Sequence, residues 1–167
     1  MHFTKITALL FLTSAAGVLA APTSTINRRA SARSFAELSI SSGTAGNAEA
    51  EAKAVFPTPS DLASVSKDDL ETLQTERETA EDAETDGFNP AIDDATDDAT
   101  KTALQNGKIK NKVLKLTGEV LALQIQQAQG DDNADKIAEE QKKLNTNIAL
   151  DKKAAGQASQ TVDFDGN

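Results

Sequence analysis

Residues 104–128 read LQNGKIKNKVLKLTGEVLALQIQQA, and this stretch decides the fold. Its large apolar residues recur at spacings of three and four, which places them on one face of an α-helix. They are Ile109, Val113, Leu116, Val120 and Leu123, and the face is widened by Leu114, Leu121, Ile125 and Ala128. An apolar face of this width is typical of a helix that packs into a core.

The same spacing returns after Gly130, in a second stretch of similar length. Its apolar-face positions are Ala134, Ile137, Gln141, Leu144, Ile148 and Ala155. Gly130 is predicted to end the first helix, and Asp131 or Asp132 to cap the second by accepting its free amide hydrogens. Two stripes joined by a turn of two to three residues predict an antiparallel αα-hairpin over about residues 100–158. The hairpin holds 13 of the 26 Leu, Ile, Val and Phe residues that follow residue 29, so we expect it to form the core.

Two weaker helices are predicted upstream. Ser66 is placed to cap one of them, with Asp69 three residues further on, and Gly87 followed by Asn89-Pro90 is predicted to end it. The other helix has the apolar face Ala45, Ala48, Ala52 and Val55, and is stopped by Pro57 and Pro59. Small side chains bury little apolar area, so both helices should be less stable than the hairpin. No segment alternates apolar and polar residues well enough to predict a sheet.

Phenylalanines stand at the ends of the predicted elements, at Phe35, Phe56, Phe88 and Phe164. They either share one cluster or anchor the chain separately, and separate anchoring is the favoured interpretation. The residues from Asp163 onward are predicted to be a frayed tail. The predicted fold class is therefore all-α: a small helical bundle built on an antiparallel αα-hairpin, with mobile N-terminal and C-terminal flanks.

The first thirty residues have the layout of an export signal. Lys5 precedes an apolar run over residues 6–19, and the small residue Ala20 ends a typical signal-peptidase site. Arg28-Arg29 resembles a kexin-type processing site. We therefore expect a signal peptide at 1–20, a pro-segment at 21–29 and a single helical domain at 30–167. The protein should be secreted and extracellular, with no stable membrane insertion once the signal is removed.

Composition restricts the chemistry of the chain. From residue 30 onward the sequence contains no His, Cys, Met, Trp or Tyr, which removes the usual imidazole base, thiol nucleophile and soft metal ligands. The net charge of that part is -12. Such acidity argues against binding to nucleic acid or to anionic membranes. We expect no enzymatic activity and no cofactor.

The charges are unevenly distributed along the chain. Residues 49–98, the acidic half, hold 16 acidic and 3 basic residues, whereas residues 101–153, the basic half, hold 7 acidic and 10 basic residues. The one basic stretch consists of Lys108, Lys110, Lys112 and Lys115. It either docks an acidic partner or faces the acidic half of its own chain, which lowers self-repulsion. The internal role is the favoured interpretation.

A doubled Asp-Asp-Ala-Thr motif supplies Asp93, Asp94, Asp97 and Asp98. On one helix these carboxylates would form repelling i,i+4 pairs unless a cation lay between them, which suggests weak Ca²⁺ binding. The favoured alternative is an acidic first turn that complements the dipole of the helix after Thr100.

Five blocks of sequence carry a family resemblance. They are residues 35–37 (FAE), 45–48 (AGNA), 88–91 (FNPA), 104–116 (LQNGKIKNKVLKL) and 132–141 (DNADKIAEEQ). In these blocks the chain resembles an uncharacterised group of cysteine-free small secreted proteins of filamentous fungi. The resemblance implies secretion, kexin-type maturation and a mostly helical fold. It carries over no catalytic residue, and an effector-like role is often supposed for such proteins.

These observations predict a secreted, non-enzymatic helical protein that acts by surface recognition outside the cell, either effector-like or wall-associated. Its partner would be an extracellular protein or a wall component. One alternative is a carrier that holds an apolar small molecule between its helices. Another is a wall or matrix protein that depends weakly on divalent cations bound by the aspartates at 93–98.

Overall fold

The computed structural model describes residues 31–165. Within that range the chain forms six α-helices, one π-helical segment and one short pair of β-strands. In chain order these are α1 (Phe35–Leu38), β1 (Gly43–Thr44), α2 (Ala48–Val55), α3 (Lys67–Asp82), the π segment (Ala83–Phe88), α4 (Asn89–Asp94), α5 (Asp98–Ala128), α6 (Ala134–Lys153) and β2 (Ala158–Ser159). The predicted all-α helical bundle is confirmed. None of the helices in the described range is long and apolar enough to cross a membrane.

The α5–α6 hairpin lies at the centre of the bundle, because α2, α3 and α6 all pack on α5. Most of the apolar face read from the sequence is buried on α5: Val113 and Leu114 are inaccessible to solvent, and Leu116 and Val120 are nearly so. At the two ends of that face, Ile109 is half-buried and Ala128 is exposed. Helix α6 contributes less to the core, chiefly through Leu144. The long central helix therefore supplies most of the apolar surface that holds the other helices.

The turn between α5 and α6 is longer than predicted. Helix α5 ends at Ala128, and Gly130 has a φ of 113°, a left-handed conformation that glycine adopts without a steric penalty. Asn133, and not Asp131 or Asp132, occupies the N-cap position of α6, while both aspartates are exposed. That prediction was wrong because three successive residues all suit a cap, and the geometry of the turn selects among them.

Helix α3 starts as predicted and ends differently. The Ser66 hydroxyl accepts a hydrogen bond from the Asp69 amide at 3.1 Å, which confirms the cap. Gly87 and Pro90 were expected to end the helical path, and this was wrong. Gly87 is buried inside the π segment, and Pro90 lies in the first turn of α4, where a helix needs no amide hydrogen. The helical path continues to Asp94.

Helix α2 follows the prediction except at Ala45, which lies before its first residue, and Ala48 and Ala52 are buried where α2 packs on α5. Its N-terminus is capped from a distant part of the chain. Asp151, in the last turn of α6, accepts hydrogen bonds from the amides of Gly46 and Ala48, both at 2.9 Å. The Asp151 side chain is buried, so this interaction fixes the end of α6 to the beginning of α2.

The segments before α2 and after α6 form a minimal antiparallel pair, in which Gly43 lies opposite Ser159 and Thr44 opposite Ala158. The Ser159 hydroxyl extends the contact by donating to the backbone carbonyl of Ser41. The expectation of no sheet was therefore wrong. Strands of two residues are too short to show the alternation by which a strand is recognised in a sequence.

The apolar side chains form two clusters. The larger one lies among α2, α3, α5 and α6 and contains Phe56. The smaller one contains Phe35 and Phe88, and Phe164 packs against it. The Phe35 ring meets the other two edge-on, with centroids 6.4 Å from Phe88 and 5.8 Å from Phe164. Three of the four phenylalanines thus share a cluster and one is separate. The predicted fraying from Asp163 onward does not apply to Phe164.

Candidate functional site

An open groove of about 220 Å³ runs between α2, α5 and α6, and we call it the α2–α5–α6 groove. Its floor is apolar and is formed by Phe56, Val120, Leu121, Leu144 and Ile148. Its rim is polar and is formed by Glu49, Lys53, Thr58, Thr117, Gln124, Gln141 and Asn145. Apolar groups surrounded by polar ones are the usual anatomy of a recognition surface.

The floor exists because α2 and α6 both pack on α5 and leave a gap between them. Phe56, the residue after α2, reaches the floor beside Gly118 of α5. A Cβ atom at position 118 would lie 3.2 Å from the Phe56 ring, which is closer than such atoms normally pack. The absence of a side chain at Gly118 therefore lets the phenylalanine ring approach α5.

The rim of this groove carries little net charge. The Glu49 carboxylate accepts hydrogen bonds from Lys53 at 2.8 Å and from Lys152 at 3.0 Å. These bonds, that of Lys53 above all, lower the pKa of Glu49 to about 2. Further along the rim, the Gln141 amide donates to the Asn145 side-chain oxygen at 2.9 Å. The rim thus offers amide groups and a compensated ion pair around an apolar floor.

A second groove of about 330 Å³ lies between α3, α5 and α6 and is lined mainly by charged residues. Arg77 forms ion pairs there with Glu81 and, at 3.0 Å, with Glu119. Lys143 bonds to Glu139 and Glu140 at 2.8 Å each, and these contacts raise the pKa of Lys143. The cations of this groove are already compensated by acidic residues of the same chain.

Lys110, one of the four lysines of the predicted partner surface, is completely buried. Its ammonium lies 2.8 Å from a Glu51 carboxylate oxygen and donates to the backbone carbonyls of Ser42 and Thr44 at 3.0 and 3.2 Å. A buried charge must be compensated in this way to be tolerated. Lys110 therefore fixes the segment before α2 onto α5 and cannot contact a partner.

The other three lysines also contact their own chain. Lys112 and Lys115 each bond to Glu84 of the π segment at 3.0 Å, and Lys108 donates to the side-chain oxygen of Asn89. Burial raises the pKa of Glu84, but the hydrogen bonds and charges of the two lysines outweigh burial and leave that pKa below its usual value. This geometry agrees with the internal role that the sequence favoured.

The four aspartates of the calcium hypothesis lie across the junction between α4 and α5. Asp93 and Asp94 end α4, and Asp98 begins α5. Asp97 is the N-cap of α5: its carboxylate accepts the Thr100 amide at 2.8 Å, and this bond lowers its pKa. The four therefore do not share one helix. Across residues 31–165 no group of three or more potential ligand side chains is arranged to hold a metal ion, so Ca²⁺ binding stays a prediction without geometric support.

A buried ion pair near the start of the described range was missed. Glu76 accepts two hydrogen bonds from the Arg33 guanidinium, at 2.7 and 2.8 Å, and a third from the Arg33 amide. The guanidinium also lies 5.6 Å from the centre of the Phe56 ring. The available signal was that Glu76 stands on the apolar face of α3, between Leu73 and Ala80. A charged residue at a core-facing position implies a buried partner.

The predicted processing residues Ala20, Arg28 and Arg29 lie outside the described residues, as do the predicted signal peptide and pro-segment. Their roles therefore stay predictions.

Comparison with known proteins gives one match. No curated protein and no solved structure matches the chain. A family model described as a domain of unknown function matches residues 30–163, a range that contains both grooves and, apart from Phe164, both apolar clusters. Because this match covers most of the sequence, the chain belongs to the DUF8454 family of domains of unknown function.

Proposed function

We propose that this is a secreted, non-enzymatic recognition protein that binds an extracellular polypeptide through the α2–α5–α6 groove. The observation that carries the proposal is the groove itself, an apolar floor inside a rim of amide side chains. Four of the five floor residues are already buried and Ile148 is half-buried, so covering the floor would remove a small apolar area from water, which is favourable. The side-chain amides of Gln124, Gln141 and Asn145 can exchange hydrogen bonds with a peptide backbone. An effector-like and a wall-associated role both use such a contact.

The dimensions and composition favour a polypeptide over other ligands. Pockets that enclose a small molecule usually measure about 300–1,000 Å³, and this groove is smaller, at about 220 Å³, and open. The chain has no Trp or Tyr, the aromatic residues that combine an apolar ring with a polar handle and suit contact with sugars. One apolar side chain presented by a partner protein is the occupant that fits best.

Two features support a role without catalysis. General acid catalysis by a carboxyl group at neutral pH requires a raised pKa. Several carboxyl groups of the described chain instead have lowered pKa values: Glu37, Glu49, Glu84, Asp97 and Glu139. From residue 30 onward there is also no His or Cys to act as a base or a nucleophile.

Two observations support secretion followed by processing. The first twenty residues have the charged, apolar and small-residue regions of a signal peptide. The family match begins at residue 30, immediately after the Arg28-Arg29 pair, so the shared domain starts where a kexin-type cut would leave the mature N-terminus.

Two glutamines of α5 provide a matched test. Gln124 lines the groove, whereas Gln127 is exposed on the same helix and does not line it. A photoreactive side chain at position 124 should cross-link an extracellular polypeptide when the protein is illuminated in culture fluid, and the same group at position 127 should not. An excess of wild-type protein without the photoreactive group should compete for the partner and abolish the cross-link from position 124. The same excess of the Gln124→Arg variant should not abolish it. Equal cross-linking from both positions would contradict the proposal.

Native mass spectrometry of the protein from its own culture fluid separates recognition from carriage. We expect a mass that starts at Ala30 and carries no adduct. A stoichiometric adduct of lipid size would instead support the carrier alternative and contradict recognition of a polypeptide as the principal function.

A further inference from the structure

The last residues that the structure describes cross the smaller apolar cluster, and we call residues 160–165 the C-terminal strap. The Gln160 amide donates to the Ala103 carbonyl of α5 at 2.9 Å, and the Thr161 hydroxyl lies 3.0 Å from that of Ser39. Further on, Val162 and Phe164 pack against the cluster that contains Phe35 and Phe88. The strap therefore bridges α5 and the segments around α1.

The strap lies in a channel formed where two helical elements lack side chains. A Cβ atom at Gly107 of α5 would lie 1.9 Å from the backbone oxygen of Gln160, a distance that no structure tolerates. One at Gly87 of the π segment would lie 2.9 Å from a methyl group of Val162. Beside the channel, buried Asn106 donates to the Ala158 carbonyl at 2.8 Å. Gly107 and the buried Asn106 amide thus accommodate a peptide backbone, and Gly87 makes room for the apolar side chains that follow it.

The strap contacts the channel as a bound peptide would. Val162 and Phe164 are half-buried, whereas Asp163 and Asp165 between and after them are exposed. Alternate side chains that enter a groove are a common feature of peptide recognition. One backbone hydrogen bond, from the Gln160 amide to α5, fixes the start of the strap. The channel therefore selects two apolar side chains spaced by two residues, the second of them aromatic.

The end of the strap is held weakly. Within the described chain, no hydrogen bond or ion pair joins residues 162–165 to another element, so two half-buried side chains provide the attachment. Segments with few such contacts open locally without global unfolding. Opening would uncover the ring of Phe35, which Phe164 meets edge-on and which is otherwise buried.

We propose that this channel is a peptide-binding site, closed by the chain's own strap and able to accept the strap of a second copy instead. The strap of a second copy has the same sequence as the chain's own strap, so it fits the channel equally well. Exchange of an identical element between copies is a known route to a dimer. In dilute solution the protein's own strap prevails because its effective concentration is high. This site is separate from the α2–α5–α6 groove and does not depend on its function.

Two full-length variants test the exchange. Gly107→Ala blocks the channel but keeps a normal strap, and Val162→Ser/Phe164→Ser keeps the channel but disables the strap. Each alone should remain monomeric in size-exclusion chromatography with light scattering. An equimolar mixture should form a 1:1 heterodimer, because the free strap of the first enters the empty channel of the second. A mixture that stays monomeric, while both variants keep native circular dichroism, would overturn the proposal.

A labelled peptide of residues 160–167 (QTVDFDGN) keeps the test decisive if a variant fails to fold. In this version of the test, the labelled peptide supplies the strap in place of the Gly107→Ala variant. The empty channel is supplied by a chain with the single substitution Phe164→Ala, in place of Val162→Ser/Phe164→Ser. The peptide should bind saturably to the strap-deficient chain and at least about tenfold more weakly to the wild type, whose channel is filled. A peptide carrying Phe164→Ala should lose about tenfold or more in affinity. No binding to the folded strap-deficient chain, or equal binding to the wild type, would refute a peptide site.

Discussion

Asp151→Asn should release the N-terminus of α2 from the rest of the bundle. Asp151 lies in the last turn of α6, where a negative charge opposes the helix dipole. It is nevertheless 2% exposed, and its two oxygens accept the amides of Gly46 and Ala48, which precede and begin α2. The unfavourable position in its own helix is thus compensated by capping another helix.

The magnitude follows from these two hydrogen bonds, each 2.9 Å long. A hydrogen bond to a charged group contributes about 1.5–3 kcal/mol. Asparagine keeps one carbonyl oxygen, but its NH₂ group faces the second amide, and a buried donor without a partner costs about 1–3 kcal/mol. We therefore expect the free energy of unfolding to fall by about 2–4 kcal/mol. For a domain of this size that lowers the melting temperature by about 10 °C.

Urea unfolding followed by circular dichroism at 222 nm measures the change, and hydrogen exchange locates it. The amides of α2 should exchange faster in Asp151→Asn than in the wild type, with those of central α5 least affected. Asp135→Asn is the matched control, because Asp135 is exposed in the first turn of the same helix. Exposed substitutions usually change stability by about 0.5 kcal/mol or less. An equal effect of the two substitutions would refute the assigned cap.

Two further predictions concern the core and the response to acid. Leu116→Asp should abolish most of the helicity, because Leu116 is buried in the larger cluster and a buried charge without a partner is costly. Leu70→Asp should keep the helicity, because Leu70 only packs against that cluster. Far-ultraviolet circular dichroism measures both, and equal losses would contradict this placement of the core. Glu49 has its pKa lowered from 4.5 to about 2, so its ion pairs stabilise the fold above pH 4.5 and are lost as the pH falls through 2. Between pH 6 and pH 3 the midpoint of urea unfolding should therefore fall further in the wild type than in Glu49→Gln. The difference should be small, because the Glu49 carboxylate is about one-third exposed to solvent. Equal falls in the two proteins would show that the ion pairs of Glu49 contribute nothing to stability.

Local and periodic signals were sufficient for the hairpin and for the start of α3. The apolar positions of α5 are determined by helical geometry alone, and the Ser66 cap depends on residues three positions apart. The path after Asp82 was not predictable in this way. A π turn is not encoded by a residue pattern, and buried Asn111 stabilises this region from another helix by donating to the Ala80 carbonyl at 2.7 Å. Pro90 signals a helix start as readily as a helix end.

The candidate groove could not be located from the sequence, because the residues that form its floor are far apart along the chain. Phe56, Leu121 and Ile148 come from three parts of the chain, and only their packing shows that a gap remains between α2 and α6. The strap channel was missed for a related reason. Gly87 was interpreted as a helix end, and nothing near Gly107 in the sequence indicated a close approach, because the atoms that lie against both glycines belong to the other end of the domain.

The distribution of ion pairs explains why recognition should not depend mainly on charge. Several pairs join the acidic half to the basic half: Glu84 with Lys112 and Lys115, Glu51 with Lys110, Glu49 with Lys152, and Arg77 with Glu119. A single exposed ion pair contributes only about 0–1 kcal/mol to stability. Together, however, the pairs listed here join α2, the π segment and α3 to the hairpin. This matters because much of the apolar face of the upstream helices is alanine, which buries little apolar area. Because many of the basic residues are paired inside the fold, the surface keeps an acidic excess. For the proposed recognition, a partner would be held mainly by apolar contact and amide hydrogen bonds, the groups that line the α2–α5–α6 groove.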